Sequence, residues 1–265
     1  MRKYLQVISL TFQEYFVYRL NFILWRFRSV VLFLSIFFFW QAIYGGQTEL
    51  LGYQKSQMLA YLVGVSFLRG LVFGNRSGDL PGQIRSGELT RLVIKPLNLL
   101  PYWLSRDLVD KTLNLIFTTI ELAIILWLFR FPFYLPVQGN TYLVFTLMIL
   151  LATGLYYFFS FFLSVTAFWT EEIWATRWLF GVVLLEFLAG AFFPLDILPN
   201  WLTRAISYTP FPYMMYLPMK VWLEQLAVAE VMKAFLVGTF WLIFFALLAK
   251  KLLNKGLRNY GAYGG

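Results

Sequence analysis

Arg69, Glu121 and Glu186 stand inside long apolar runs of this sequence. A charge in hydrocarbon is expensive, so each should face the protein interior, a water-filled path or another charge. An Arg69–Glu121 pair is one expected arrangement. Arg69 lies near the end of its run and could instead snorkel its guanidinium toward the interface. Glu186 precedes a proline-rich segment, which makes it the better candidate for lining a path, although structural pairing is the simpler reading for all three. The chain has no cysteine and no histidine. Disulfides and thiol catalysis are therefore excluded, and most zinc chemistry loses its usual ligands. An intramembrane enzyme would rest on carboxylates or a Ser–Lys pair, and Glu121 with Glu186 is its sole support. No GxxxxGK[ST] phosphate loop occurs, so no nucleotide or other cofactor is expected to bind this chain.

A second group of charges is spaced differently. In IRSGELTRLVIKPLN, residues 84–98, Arg85, Glu88, Arg91 and Lys95 recur through an otherwise apolar stretch. Leu89, Leu92 and Val93 share one helical face, while Glu88, Arg91 and Lys95 share the other, with Glu88 and Arg91 at a favourable three-residue spacing. Ser86 is the expected cap. Pro96 disfavours a helical Lys95, so the helix should stop there, and Gly87 allows a bend or close approach. The spacing predicts a short amphipathic helix whose apolar side sits on the rest of the protein. Its charged side meets either lipid phosphates or something in the cytoplasm.

The elements that position these residues follow from composition. Of 265 residues, 60% are hydrophobic, 21% aromatic and 13% charged. A soluble domain is about half apolar and a quarter charged, so the chain reads as an all-α polytopic membrane protein, one domain over residues 1–265. A spanning helix needs roughly 20 apolar residues. Six candidate spans cover residues 30–44 (extended back through 22–25), 58–73, 113–129, 142–168, 178–193 and 234–253. With six spans the basic segments alternate: Arg2, Lys3, Arg19, Arg26 and Arg28 precede the first, Arg76 to Lys111 separate the second and third, Arg177 lies between the fourth and fifth, and Lys250 to Arg258 follow the sixth. The positive-inside rule then puts both termini in the cytoplasm, in a plasma (inner) membrane. The net charge of +9 is read as this loop charge, not as a nucleic-acid surface. Arg2 and Lys3 precede no signal-peptide pattern.

Two flanking segments are neither spans nor ordinary loops. In residues 1–20, Leu5, Ile8, Phe12, Tyr15 and Phe16 fall on one helical face, opposite Gln6, Ser9 and Gln13, which predicts an amphipathic helix lying at the interface. A plain cytoplasmic extension of the first span is the alternative. In residues 193–218, Pro194 and Pro199 break the helix, and Pro210, Pro212 and Pro218 forbid long regular structure. Phe193, Leu195, Leu198 and Trp201 nevertheless stay apolar, which favours a re-entrant segment in the outer leaflet over a plain external loop. Gly70 and Gly74 form GxxxG, a pattern for close helix packing.

The run I-R-S-G-E-L-T-R-L-V-I-K-P-L resembles the loop between the second and third spans of ABC-2 type permeases. In particular it is similar to the subfamily formerly catalogued as a domain of unknown function. The run FLAGAFFPLDILPNWLTRAISYTPFPYMMYLP, residues 187–218, resembles that family's proline- and tryptophan-bearing segment after the fifth span. Gly256, Tyr260, Gly264 and Gly265 are similar to its tail. The resemblance implies that residues 76–107 hold a coupling helix that docks on an ATPase, through Arg85, Gly87, Glu88, Arg91, Lys95 and Pro96. It implies further that Phe193, Pro194, Leu195, Leu198, Pro199 and Trp201 close the path externally. Partners would be an ABC ATPase dimer carrying ATP and Mg, a second permease, identical or a sibling, and membrane lipid, with no nucleic acid. The chain itself would be no enzyme. A secondary transporter is the rival, but it calls for inverted repeats and breaks near midplane, and the breaks here cluster toward one face.

Overall fold

The computed structural model describes residues 2–130, 134–170 and 178–260. Arg177, Gly264 and Gly265 lie outside them. The chain begins with α1, Arg2–Val17, and α2, Arg19–Tyr44. A two-stranded hairpin follows, Glu49–Leu50 against Tyr53–Gln54, and leads into α3, Lys55–Val72. Two short helices, α4 (Leu80–Arg85) and α5 (Thr90–Val93), precede the long α6, Leu99–Phe129. Next come α7, Gly139–Val165, and a helical piece that is π-wound over Leu179–Val183 and continues as α8, Leu184–Leu188. Short helices α9 (Asn200–Ser207) and α10 (Tyr216–Trp222) lead to α11, Val228–Asn259.

Among the described residues, α2, α6, α7 (to Phe168) and α11 are long and apolar enough to cross a membrane. Lys55–Val72 and Ser77–Arg85 pass the same test together as a pair bent by 58°, which raises the number to five where the sequence predicted six. The expected fifth span, residues 178–193, is helical over Leu179–Leu188, a shorter apolar helix. Its end is set by Gly190, at φ 78°. The Ala191 N–H reaches Glu186 O at 2.9 Å and the Gly190 N–H reaches Phe187 O at 3.2 Å, the paired bonds of a Schellman ending, which needs a left-handed residue at that point.

α7 is the central element. Of its most apolar window 39% is buried, against 11% for α2 and α6 and 17% for α11. Its side chains Met148, Ala152, Leu155 and Phe159 anchor the main core with α3, α10 and α11. A second core holds Leu80, Leu89, Trp103, Phe161 and Leu253 beneath the α4–α5 loop. A third joins Phe33 and Phe37 of α2 to Leu59 and Val63 of α3 and Leu122 of α6. Elsewhere the long helices present large apolar side chains outward, such as Trp127, Leu236 and Phe240, as lipid contact demands.

α1 lies along α6, and most of the apolar face read from the sequence stays outward. Ile8 and Tyr15 are half-buried, whereas Leu5, Phe12 and Phe16 are exposed. The reason is polar: Glu14 pairs with Arg106 at 2.6 Å, Tyr15 hydrogen-bonds Asp110, and Thr11, one turn before them, is buried. The helix turns its partly polar side to α6 and leaves the greasier side free.

Candidate functional site

The end of α3 leaves carbonyl oxygens without intrahelical donors. Lys111 of α6 supplies them. Its ammonium donates to Leu71 O at 3.1 Å, Val72 O at 2.9 Å and Gly74 O at 2.7 Å. One turn earlier on α6, Asp107 accepts from the backbone N–H groups of Arg76 and Ser77 at 2.5 and 3.2 Å. Both side chains are buried. Asn75 completes the arrangement, donating to Tyr156 and Ser160 of α7 at 2.8 and 2.9 Å and accepting from Gly78 N. The bend between α3 and the following loop is thus held from both sides by one turn of α6.

Beyond the bend, residues 84–96 are not one helix. α4 ends at Arg85, with Ser86 closing it instead of capping a new start. Gly87, at φ 75°, reverses the chain, and the Leu89 N–H reaches back to Gln83 O at 3.0 Å. α5 then stops at Val93, before Pro96 as predicted. Ile84 and Leu89 are buried and Leu92 half-buried, but Val93 is exposed, because the break at Gly87 rotates α5 relative to the predicted face. Arg85, Glu88, Arg91 and Lys95 are all exposed, and no ion pair holds any of them among the described residues. Pro96 O accepts from Lys3 at 2.5 Å and Asn98 N donates to Tyr4 at 3.4 Å, so α1 touches the loop's far end.

The intramembrane charges pair differently from the predicted Arg69–Glu121. Glu121 binds Arg26, whose Nε donates to it at 2.8 Å and whose Nη2 makes a second contact. The same guanidinium donates to Asn114 at 3.1 Å and Thr118 at 3.0 Å. Asn114, Thr118 and Glu121 fall at spacings of four and three on α6, so they form one polar stripe that a single guanidinium from α2 can cover. Arg69 turns the other way. Its Nη2 meets Glu186 at 3.3 Å and Ala191 O at 3.5 Å. The GxxxG pair packs within the chain: a Cβ at Gly70 would come within 2.7 Å of Thr118 Oγ1, and one at Gly74 within 2.5 Å of Asp110 Oδ2. Between α2, α3, α6 and α8 these charges enclose a cavity of about 630 Å³.

At the opposite end of α3, the proline-rich segment is tied down. Tyr61 donates to Gly190 O at 2.6 Å and Trp40 to Phe192 O at 3.0 Å. Asp196 accepts from the Tyr53 hydroxyl at 2.8 Å and from Lys220 at 2.8 Å, and Lys220 also binds Gln225 at 2.6 Å. Burial, and then the Asp196 carboxylate, push the Tyr53 hydroxyl far above its ordinary titration range, so it stays a donor. Of the predicted residues here, Pro194 and Leu195 are buried, Phe193 and Leu198 half-buried, and Pro199 and Trp201 exposed. Glu224 closes the neighbouring loop, accepting from Gln138 N at 2.8 Å, Val137 N at 3.2 Å, Thr141 at 2.9 Å and Tyr134 at 2.9 Å. These bonds, led by that from Gln138, lower its carboxyl to about 2.

Sequence reasoning missed Arg26, Asp107, Lys111, Tyr53, Asp196 and Lys220. For the α6 residues a signal was present: polar positions 107, 111, 114, 118 and 121 repeat at three and four along one helical face.

Residues 30–264 match the family described as ABC-2 family transporter protein. No curated protein and no solved structure gives a match. The family match spans almost all of a chain whose helices are apolar enough to cross a membrane several times, and on it the chain belongs to the ABC-2 family of transporter proteins, as a multi-pass membrane permease.

Proposed function

We propose that this chain is the transmembrane subunit of an ATP-driven ABC exporter. It works with a second permease, a sibling or an identical copy, and with a separate ATPase dimer that carries ATP and Mg. In this reading residues 1–265 form one transmembrane domain of six spans in the plasma (inner) membrane, with α3 bent at its end, residues 178–193 as the fifth span and both termini cytoplasmic. α1 lies at the cytoplasmic interface. Residues 193–218 are re-entrant in the outer leaflet and close the path there, tied by Tyr53, Asp196 and Lys220.

The observation that carries the reading is the loop at residues 84–96. It is fixed at its root by Asp107, Lys111 and Asn75, yet presents Arg85, Glu88, Arg91 and Lys95 outward without ion partners among the described residues. Solvated charges on a rigid mount suit a docking surface that must transmit force. Leu89 anchors the mount, and Gly87 lets it turn sharply. ATP-driven closure of the ATPases would move this loop, and the clamp on α6 would carry the movement into α3.

The test is a charge reversal. An exposed ion pair contributes at most about 1 kcal/mol, so one reversal weakens docking without abolishing it. Glu88→Arg combined with Arg91→Glu inverts what the ATPase meets, and electrostatic complementarity governs partner choice. An ABC ATPase should co-purify with the native chain and drive ATP-dependent transport. In the double variant, expressed at normal level, hydrolysis should uncouple from transport. Unchanged coupling would remove these charges from the contact. Transport that needs an ion gradient and no ATP would replace the reading with a secondary transporter.

A further inference from the structure

The cavity between α2, α3, α6 and α8 is lined by four guanidinium groups and four carboxylates. Arg26, Arg28, Arg69 and Arg76 line it, as do Asp79, Asp110, Glu121 and Glu186. Glu121 is taken by Arg26 and Glu186 by Arg69, and Arg76 serves Asp79 and Asp110. Every carboxylate at the cavity is thereby matched. Arg28 is left over: among the described residues it makes no ion pair and no hydrogen bond, and its guanidinium stacks over Trp25 at 5.0 Å from the ring centre. Arg69 is also incompletely matched, since its Nε is buried and has no acceptor among the described residues. The two guanidinium charges repel each other across the space, and burial strengthens such repulsion because water screens it less.

The cavity has a mouth. Arg28 is exposed and lines it, so it opens where Arg28 stands, on the side of α2. That side is a lipid-facing one: Leu24, Trp25 and Phe27 are each more than half exposed. Tyr18 and Trp25 stand at the opening, and such aromatic side chains favour the depth of lipid head groups. A volume of about 630 Å³ is in the range of small-molecule sites, and a guanidinium without a carboxylate partner beside the membrane surface attracts an anionic head group.

We infer that this cavity binds the phosphate of an anionic lipid head group, held between Arg28 and Arg69, with the acyl chains lying along α2. The phosphate oxygens accept from the free Arg69 Nε and from the Arg28 guanidinium and remove the repulsion between the two. Trp25 covers the glycerol region. The site needs only this chain, so its fate and that of the proposed ATPase contact at Glu88 and Arg91 are decided by separate experiments.

The full-length chain, purified in a neutral detergent, is titrated with phosphatidylglycerol and with phosphatidylcholine, and bound lipid is counted by native mass spectrometry. Phosphatidylglycerol should bind preferentially. Arg28→Gln should weaken it roughly fivefold, the value of one basic residue at an anionic lipid surface. Arg204→Gln, on the distant α9, should leave it unchanged. Arg69→Gln should weaken it further, and if that variant fails to fold because Glu186 loses its partner, Arg28→Gln decides alone. Equal binding of the two lipids, or phosphatidylglycerol binding that survives Arg28→Gln, overturns the assignment. Displacement of the lipid by millimolar inorganic phosphate also overturns it, by making the site one for soluble phosphate.

Discussion

Lys111→Met is the sharpest test of how the loop is mounted. The substitution keeps the stem's length and apolar bulk, and removes one ammonium that is 5% exposed. Three carbonyl oxygens, of Leu71, Val72 and Gly74, then lose their donor. A buried acceptor left unsatisfied costs about 1–3 kcal/mol. The three are neighbours and relax together, so their sum is an upper bound. Asp107, fully buried one turn away, also loses the attraction of that ammonium, and removing one member of a buried set of opposite charges costs up to about 3–5 kcal/mol. A total of about 4 kcal/mol is a large share of the roughly 5–15 kcal/mol that hold a domain together. Asp107→Asn should cost less, about 1 kcal/mol, because the amide oxygen still accepts from Arg76 N and Ser77 N. The double variant should be less destabilised than the sum, since each residue's cost depends on the other. Denaturant unfolding of the purified chain in detergent, followed by tryptophan fluorescence, measures all three. A Lys111→Met cost below about 1 kcal/mol, or strict additivity, would refute the clamp.

Arg26→Met and Glu121→Met should each destabilise the chain by about 3–5 kcal/mol, while the double substitution should be close to neutral, as for a buried pair replaced by apolar groups. Comparable loss in the double variant would mean that the pair adds net stability. Lys220→Met leaves Asp196 without its cation, so a single cysteine at Ile197 should label faster with a water-soluble thiol reagent; an unchanged rate would separate Lys220 from closure of that segment. Glu224 is pushed from an ordinary 4.5 down to about 2, so its contribution is fully present above pH 4.5 and is lost as the pH falls toward 2. Glu224→Gln should flatten the acid limb of the melting curve over that interval, and an unaltered limb would place the acid sensitivity elsewhere.

Much of the architecture was legible because it depends on local spacing. Apolar runs of spanning length marked α2, α6, α7 and α11, and Pro96 marked the end of α5. The two runs IRSGELTRLVIKPL and FPLDILPNW pointed to the ABC-2 family, which the match over residues 30–264 then supplied. What spacing does not carry is the choice of partner. Arg69 had two carboxylates within reach of a plausible drawing, and the choice turned on which face of α3 meets α8 and which meets α6. Gly70 and Gly74 settle that: their missing side chains let Thr118 and Asp110 close in, which sets α6 against that face of α3 and leaves Arg69 to Glu186. The interior of α6 is then free to serve other elements, and it serves several. Arg106 and Asp110 hold α1, Asp107 and Lys111 hold the bend after α3, and Asn114, Thr118 and Glu121 hold α2 through Arg26. One polar stripe, read at three- and four-residue steps, therefore joins the N-terminal helix, the first long helix and the root of the exposed loop. A force applied at residues 84–96 reaches α1, α2 and α3 through α6, while Phe161 and Val165 of α7 support the loop from below through contacts that carry no charge. Movement of the loop should accordingly displace α1 and α2 together with α3, with α7 coupled to it through Asn75 and α11 left in place.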